Sequence, residues 1–274
     1  MPELPEVETV RRTLIELVKG KTIEDVEVRW PKMIKHPDDV QQFSEYLKGQ
    51  TIHDVKRRGK FLIFVLDNDV LISHLRMEGR YGLYRKEDEV DKHTHVLFTF
   101  TDNSQLRYKD VRKFGTMHIF KKGTEEDVEP LNKLGPEPFS EHFTVEHLAH
   151  NLSRTTRKVK TALLDQVIVT GLGNIYVDEA LFRSGVHPER LGNSLIQQEV
   201  SKLHEQIVST LKEAVDKGGS TIRSYVNTQG EMGMFQLELF VYGKQGEPCS
   251  TCGKEIEKTV VGGRGTHFCS NCQK

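Results

Sequence analysis

The sequence predicts an α+β protein: a β-sandwich or barrel with a leading helix, then a helical half, then a small metal-bound hairpin. Three observations carry that prediction. Short apolar or alternating runs separated by Asp, Asn and Ser turn signals fill residues 22–120. Helical periodicity takes over beyond a proline-rich break, Leu134-Gly135-Pro136-Glu137-Pro138. Two Cys-x-x-Cys pairs close the chain.

The first helix is expected at residues 5–19. Val7, Val10, Leu14, Leu17 and Val18 share one face, glutamates occupy the first turn, and Lys19-Gly20 ends it. Strands are expected at 22–30, 51–57, 60–66, 70–76, 81–85, 95–100, 105–108 and 117–120. Asp67-Asn68-Asp69 and Thr101-Asp102-Asn103-Ser104 read as turns between them. After the break, helices are expected at 144–152, 175–182 and 195–215. The last carries Ile196, Val200, Leu203, Ile207, Leu211 and Val215 on one face and ends at Gly218-Gly219. Arg154, Arg157, Lys158 and Lys160 make a basic approach to residues 159–164. Near the C-terminus, 258–261 and 266–268 read as strands. Gly262-Gly263-Arg264-Gly265 is then the turn, with Arg264 at its exposed tip.

Composition narrows the function classes. With 36% hydrophobic and 29% charged residues, the chain is neither disordered nor membrane-like. Its longest apolar run, Phe61-Leu62-Ile63-Phe64-Val65-Leu66, suits a buried strand and is too short to span a bilayer. The acidic, amphipathic N-terminus has no signal-peptide apolar region, so a reducing cytoplasm is expected. A net charge of −1 gives no global basic signature, so any nucleic-acid contact must be a local patch. The absence of heptads and of unassigned apolar faces gives no sign of an obligate oligomer.

Several stretches carry chemistry. Met1 precedes the small residue Pro2, so its removal is expected, leaving a secondary amine at the chain start. An α-amine titrates near neutrality, and its free form can attack an electrophilic carbon. Glu3 and Glu6 stand beside it at a helix N-terminus, which favours the ionised carboxylates and the unprotonated amine. A helix start with two prolines would account for the same residues. Lys56-Arg57-Arg58-Gly59-Lys60 is a basic cluster at a hairpin turn, and such runs are ordinarily solvated. The segments 76–80 and 111–115 each set a large apolar residue, Met77 or Phe114, among charges and next to glycine. Such residues serve either as core or as wedges that open base steps.

Gly171-x-Gly173 lies between helices, with no strand before it and no third glycine, so it is not a dinucleotide fingerprint. It is either a helix–turn–helix element, with Asn174 and the helix N-terminus facing a phosphate, or a plain helical corner. Residues 217–233 are polar and of loop length, which suits either a lid or binding loop or plain disorder. The most specific signal is Cys249-x-x-Cys252 and Cys269-x-x-Cys272, with residues 253–268 between the pairs. That is four-cysteine zinc spacing. Such a hairpin cannot build its own core, so the metal would supply its folding energy.

In one order, the opening Pro2-Glu3-Leu4-Pro5-Glu6-Val7-Glu8, the segment Gly171-Leu172-Gly173-Asn174-Ile175-Tyr176-Val177-Asp178-Glu179 and the cysteine hairpin around Arg264 closely resemble bacterial formamidopyrimidine-DNA glycosylase. The resemblance covers essentially the whole chain. It implies an N-terminal β-sandwich domain with a leading helix (1–133), a helix–two-turn–helix domain (134–234) and a C-terminal zinc-finger β-hairpin (235–274). It implies a monomer with one structural Zn2+ and no organic cofactor. Its partner would be damaged double-stranded DNA, with no membrane, in the bacterial cytoplasm and associated with the nucleoid through that DNA.

The activity implied is excision of oxidised purines, chiefly 8-oxoguanine and formamidopyrimidines. Strand cleavage at the abasic site by β- and δ-elimination follows. Mature Pro2 would attack the sugar C1′ to form a Schiff base, with Glu3 as acid/base and Glu6 in support. Lys60, Asn174 and Arg264 would grip phosphates, helped by His74 and Lys258. Met77, Arg112 and Phe114 would fill the vacated space and address the orphaned base. Ser220, Arg223, Ser224 and Tyr225 would belong to the lid over the everted lesion. Leu172 and Thr170 depart from the commoner residues of the pattern without touching this chemistry.

Three other readings stand beside this one. An endonuclease VIII-like enzyme for oxidised pyrimidines shares the Pro-Glu start and the zinc finger. The residues Leu4 to Glu8, the Arg112/Phe114 pair and the long lid favour the purine branch. A non-catalytic zinc-ribbon DNA-binding protein explains the cysteines but leaves Pro2-Glu3 to chance. A tautomerase with an N-terminal proline base leaves the zinc hairpin without a purpose.

Overall fold

The computed structural model describes residues 1–220 and 238–274. They divide into two compact units. One is Met1–Asn132 together with the stretch that begins at Gly218; the other is Lys133–Lys217 with the C-terminal stretch.

The first unit is a sandwich rather than a barrel, because its strands close into two separate sheets. β1 (Ile23–Val28), β7 (Thr94–Phe100), β8 (Ser104–Lys109) and β6 (Arg80–Arg85) form one, in the order β1-β7-β8-β6. β2 (Ile34–His36), β9 (Thr116–Lys121), β5 (Asp69–His74), β4 (Phe61–Val65) and β3 (Asp54–Arg58) form the other, in the order β2-β9-β5-β4-β3. All eight strands expected from the sequence are present. Alternation places Val96, Phe98, Leu106 and Tyr108 on one inner face and Leu62, Phe64, Leu71, Met117 and Ile119 on the other, in a single core. Each such side chain contributes about 1.5–3 kcal/mol when fully buried. Helix α1 (Leu4–Val18) joins this core through Val7, Val10, Leu14 and Val18, a three-and-four spacing.

Two elements carry no clear sequence signal. α2 (Val40–Leu47) buries only Phe43 and Leu47, too narrow a stripe for a periodic pattern. Its N-cap is visible in retrospect: Asp39 accepts the Gln42 N–H at 2.7 Å. β2 is short and pairs parallel to β9, with no hairpin turn to announce it.

In the second unit, α3 (Val145–Ser153), α4 (Val159–Leu164), α5 (Asn174–Ser184) and α6 (Gln197–Asp216) carry the chain to the zinc-type hairpin of β10 (Glu257–Val261) and β11 (Arg264–Phe268). α5 is buried nearly all round and packs on α6 and β11. Three expectations need correction. Ile196, placed on the apolar face of the last helix, is 60% exposed and precedes it as the N-cap. Lys160, counted with a basic approach, is fully buried. The hairpin turn is only Gly262-Gly263, both at positive φ (+56° and +73°), because Arg264 already pairs with Val261 as the first residue of β11. Arg264 is nonetheless exposed.

Candidate active site

The chain start is built into the first unit. Met1 is exposed, while Pro2, Glu3 and Glu6 are buried. Glu3 is the N-cap of α1, and the Glu6 carboxylate accepts the Glu3 N–H at 2.9 Å. The other Glu6 oxygen accepts the Ser220 N–H at 2.7 Å and the Ser220 hydroxyl at 3.2 Å. Gly219 precedes that contact at φ +85°, and a Cβ there would lie 2.6 Å from Glu6 Oε1, so only glycine fits. Glu6 therefore fixes both the chain start and the residue that enters the proposed lid. One turn on, burial of Glu8 opposes its charge. Arg11, Arg12 and Arg57 outweigh burial and hold its carboxyl below the usual range. Of the expected lid residues, Arg223, Ser224 and Tyr225 lie outside the described residues.

Lys60 sits in the two-residue turn between β3 and β4, where Gly59 takes φ +56°. It is 5% exposed, so the basic run does not end in the solvated turn that its charge suggested. His74, at the end of β5, is also buried; its Nδ1 accepts the Arg76 N–H at 2.9 Å, leaving Nε2 to carry the proton. Burial first, then Arg76, Lys60 and His118, push its pKa down to about 3. The folded value lies below the unfolded one. The neutral ring therefore costs the fold nothing above about pH 6.5, and stability is lost as pH falls from there toward 3. His74→Gln should flatten this slope. At pH 4.5 it should recover roughly 2 kcal/mol of the acid loss, read from urea midpoints at pH 7 and 4.5.

Met77 is half-buried in the loop between β5 and β6, whereas Phe114 is 51% exposed. The Arg112 guanidinium lies 4.7 Å from the Phe114 ring centre. Lys113, at φ +58°, sets its ammonium 4.2 Å from the centre of Trp30. The 111–115 segment is thus an apolar tip flanked by cations rather than core.

In the second unit, Gly171 turns the chain at φ +86° between α4 and α5, and Asn174 opens α5. Its Nδ2 donates to Gly265 O at 3.0 Å, so Asn174 and the base of Arg264 are brought together. Lys160 Nζ donates to the same carbonyl at 3.1 Å and to Thr266 Oγ1 at 2.8 Å. It also pairs with Asp178 at 2.6 Å, with both side chains fully buried. The second Asp178 oxygen accepts the His267 N–H at 2.9 Å. The neighbouring Glu179 accepts the N–H groups of Phe240, Val241 and Tyr242 at 2.8–2.9 Å. Two adjacent carboxylates on α5 thus hold two segments of the terminal module. Lys258 lies exposed on β10, opposite His267.

The four cysteine sulfurs lie within 4.8 Å of one another, with Cys249–Cys272 at 3.8 Å and Cys252–Cys269 at 3.5 Å. A tetrahedron with Zn–S bonds of about 2.3 Å has edges of about 3.8 Å, so the set fits one zinc ion. Four thiolates leave no open position, and the ion is structural. Among the described residues, the adjoining core is Phe182, Val241 and Ile256 beside the cysteines. Stripping the metal with a chelator should release one zinc per chain and speed tryptic cleavage after Lys258 and Arg264 by about tenfold or more. Unchanged cleavage after complete zinc loss would contradict a structural role.

Residues 1–117 match the Formamidopyrimidine-DNA glycosylase N-terminal domain, 134–226 the Formamidopyrimidine-DNA glycosylase H2TH domain and 246–274 the zinc finger found in FPG and IleRS. The chain is 67% identical to the formamidopyrimidine-DNA glycosylase of Shouchella clausii over 273 residues, covering 100% of this chain and 99% of that one. It is 63% identical to that of Bacillus subtilis with the same coverage. The chain belongs to the formamidopyrimidine-DNA glycosylase family.

Among solved formamidopyrimidine-DNA glycosylases, the wild-type Lactococcus lactis protein in complex with N7-benzyl-Fapy-dG DNA matches with a TM-score of 0.93. It is 45% identical, and 100% of both chains is covered. The same protein with abasic-site DNA also matches with a TM-score of 0.93, at 45% identity over 99% of both chains. The family resemblance includes Asp178 and Glu179 in its glycine-turn segment but gives them no role, and it marks neither Lys160 nor Asp110. Lys160 and Asp178 are far apart in sequence and carry no spacing signal. Asp110 could have been found: it precedes Arg112 by two, the offset at which an Asp side chain caps a turn.

Proposed function

We infer that this chain is a base-excision-repair DNA glycosylase and abasic-site lyase that acts on damaged duplex DNA, with oxidised purines as its lesions. The observation that carries the reading is the buried Pro2-Glu3 pair at the start of α1, held by Glu6. Removal of the exposed Met1 frees the Pro2 nitrogen. The amine attacks C1′ of the everted nucleotide, and the glycosidic electron pair leaves with the base, which takes a proton. Glu3 serves as the acid/base group. The Pro2 nitrogen loses its proton, and cleavage of the C1′–O4′ bond, with O4′ taking a proton, opens the sugar to the iminium. The iminium acidifies C2′; loss of that proton expels the 3′ phosphate, a second elimination expels the 5′ phosphate, and water releases Pro2.

Lys60, Asn174 and Arg264 hold phosphates around the lesion, with His74 and Lys258 as further contacts. A neutral His74 with its proton on Nε2 is a donor suited to a phosphate oxygen. Met77, Arg112 and Phe114 fill the place of the everted base; the exposed Phe114 beside Arg112 supports this. Ser220, with Arg223, Ser224 and Tyr225, belongs to the lid. The working domains are 1–133, 134–234 and 235–274. The chain acts as a monomer in the bacterial cytoplasm, at the nucleoid. No helix among the described residues is long and apolar enough to cross a membrane.

Borohydride trapping tests the reading. Reduction in the presence of duplex DNA carrying 8-oxoguanine should yield a covalent adduct on Pro2, with Met1 absent, when the cross-linked peptide is mapped by mass spectrometry. An adduct on a lysine would move the nucleophile. No adduct from a zinc-loaded, DNA-binding preparation would overturn the lyase.

A further inference from the structure

Two loops carry the side chains assigned above to the space left by an everted base, and the end of one strand lies beneath both. Asp110 follows β8 and is 1% exposed. Its Oδ1 accepts the Arg112 N–H at 3.0 Å, and its Oδ2 accepts those of Phe114 and Gly115, each at 2.8 Å. The residue is itself fixed: its N–H donates to His93 O at 3.0 Å, and His95 Nε2 contacts its carbonyl at 2.8 Å. The loop therefore wraps one buried carboxylate. Those three charge-assisted bonds hold Lys113 in the left-handed region at φ +58°, which a non-glycine residue does not favour.

Two residues earlier, Tyr108 runs its ring through the sandwich core and ends between two glycines. A Cβ on Gly79 would lie 2.1 Å from the Tyr108 hydroxyl, and one on Gly115 only 1.8 Å away. Gly79 belongs to the Met77 loop and Gly115 to the Phe114 loop, so both loops rest on one oxygen. That hydroxyl has no hydrogen-bond partner among the described residues. Burial first, then Tyr81 and Asp110, pushes its pKa well above the usual value, so it stays neutral. It contributes shape rather than charge.

We propose that Asp110 and Tyr108 are positioning residues: together they hold the Met77 loop and the Arg112–Phe114 loop at a fixed separation, so that both enter the duplex as one wedge. The inference rests on the wedge reading given above. Its physical basis is preorganisation. An exposed apolar tip such as Phe114 otherwise loses much of its freedom on insertion, and the Asp110 bonds have already removed that freedom.

Asp110→Asn tests it, because an amide cannot accept all three N–H groups. Excision of 8-oxoguanine from duplex DNA should fall at least about tenfold, the factor expected when a buried donor loses its acceptor. Borohydride trapping on a single-stranded abasic oligonucleotide, which needs no wedge, should stay within about twofold, while a folding defect would lower it equally. In an Arg112→Ala/Phe114→Ala background, Asp110→Asn should add less than about twofold. Gly115→Ala, which drives a methyl into the Tyr108 oxygen, should reproduce the Asp110→Asn pattern.

Unchanged duplex excision overturns the proposal. So do parallel loss of duplex excision and single-stranded trapping, equal losses in both backgrounds, or a silent Gly115→Ala. If the Arg112→Ala/Phe114→Ala protein itself excises like the parent, the wedge reading has failed. If that protein is slow and Asp110→Asn still costs the same in it, only the positioning role has failed.

Discussion

Glu3→Gln should lower excision of the damaged base by about 10²–10⁴-fold, the range spanned by a lost general acid/base. It should leave trapping on an abasic site largely intact. The substitution keeps the shape of the N-cap and its backbone. The Glu3 N–H donates to Glu6 and the Glu3 side chain accepts the Glu6 backbone N–H in return, a bond that the side-chain oxygen of Gln can still accept. What Gln cannot do is give or take a proton. An intact nucleotide needs a proton moved as the glycosidic bond breaks, whereas the aldehyde of an abasic site has no base to expel. Single-turnover excision on an 8-oxoguanine duplex and trapping on a pre-formed abasic duplex separate the two steps. Equal loss of both would mean that Glu3 holds structure rather than moves protons.

Lys160→Met should destabilise the second unit by about 3–5 kcal/mol, because it strands the Asp178 carboxylate in a fully buried site. The loss should be concentrated in β11. Lys160 also bridges Gly265 O and Thr266 Oγ1, and Asp178 caps the His267 N–H. Lys160→Met/Asp178→Asn should be the milder change, at about 1–2 kcal/mol. It removes both charges yet keeps a side-chain oxygen for His267. Two units need not unfold together, so the measurement is amide exchange of residues 264–268, compared with that of β7 as an internal standard. Exchange in β11 that is no faster in Lys160→Met than in the parent would show that the ion pair does not hold the hairpin. DNA binding should weaken in step with β11 exchange if the hairpin presents Arg264 to a phosphate.

Period-two and period-three-to-four patterns make the sandwich strands, α1 and α6 legible in the sequence. Each buries a regular stripe, as Val7, Val10, Leu14 and Val18 do in α1. The cysteine spacing is equally plain, because a tetrahedron of sulfurs leaves few alternatives. α2 is not legible, since two buried residues make no period. The burial of Lys60 and Lys160 cannot be read either, because sequence charge says solvent unless a distant partner is known. The partners of Lys160 are Asp178 on another helix and Gly265 and Thr266 on a strand. Family resemblance names the residues expected to meet DNA. It does not name those beneath them, such as Asp110, whose work is done through the backbone of its neighbours.

The bond between Glu6 and Ser220 also has a consequence for how the protein is made. The first unit takes back a stretch that begins at Gly218, so all of Lys133–Lys217 must be synthesised before its N-terminal helix can meet that partner. At ribosomal speeds of roughly 5–20 residues per second, that is a wait of seconds, during which the start of α1 lacks one of its two Glu6 anchors. The sandwich strands have all emerged by then and can pair. Through that interval the chain start is held by the Glu3–Glu6 bonds alone. Only when residue 220 leaves the ribosome can Glu6 accept its N–H.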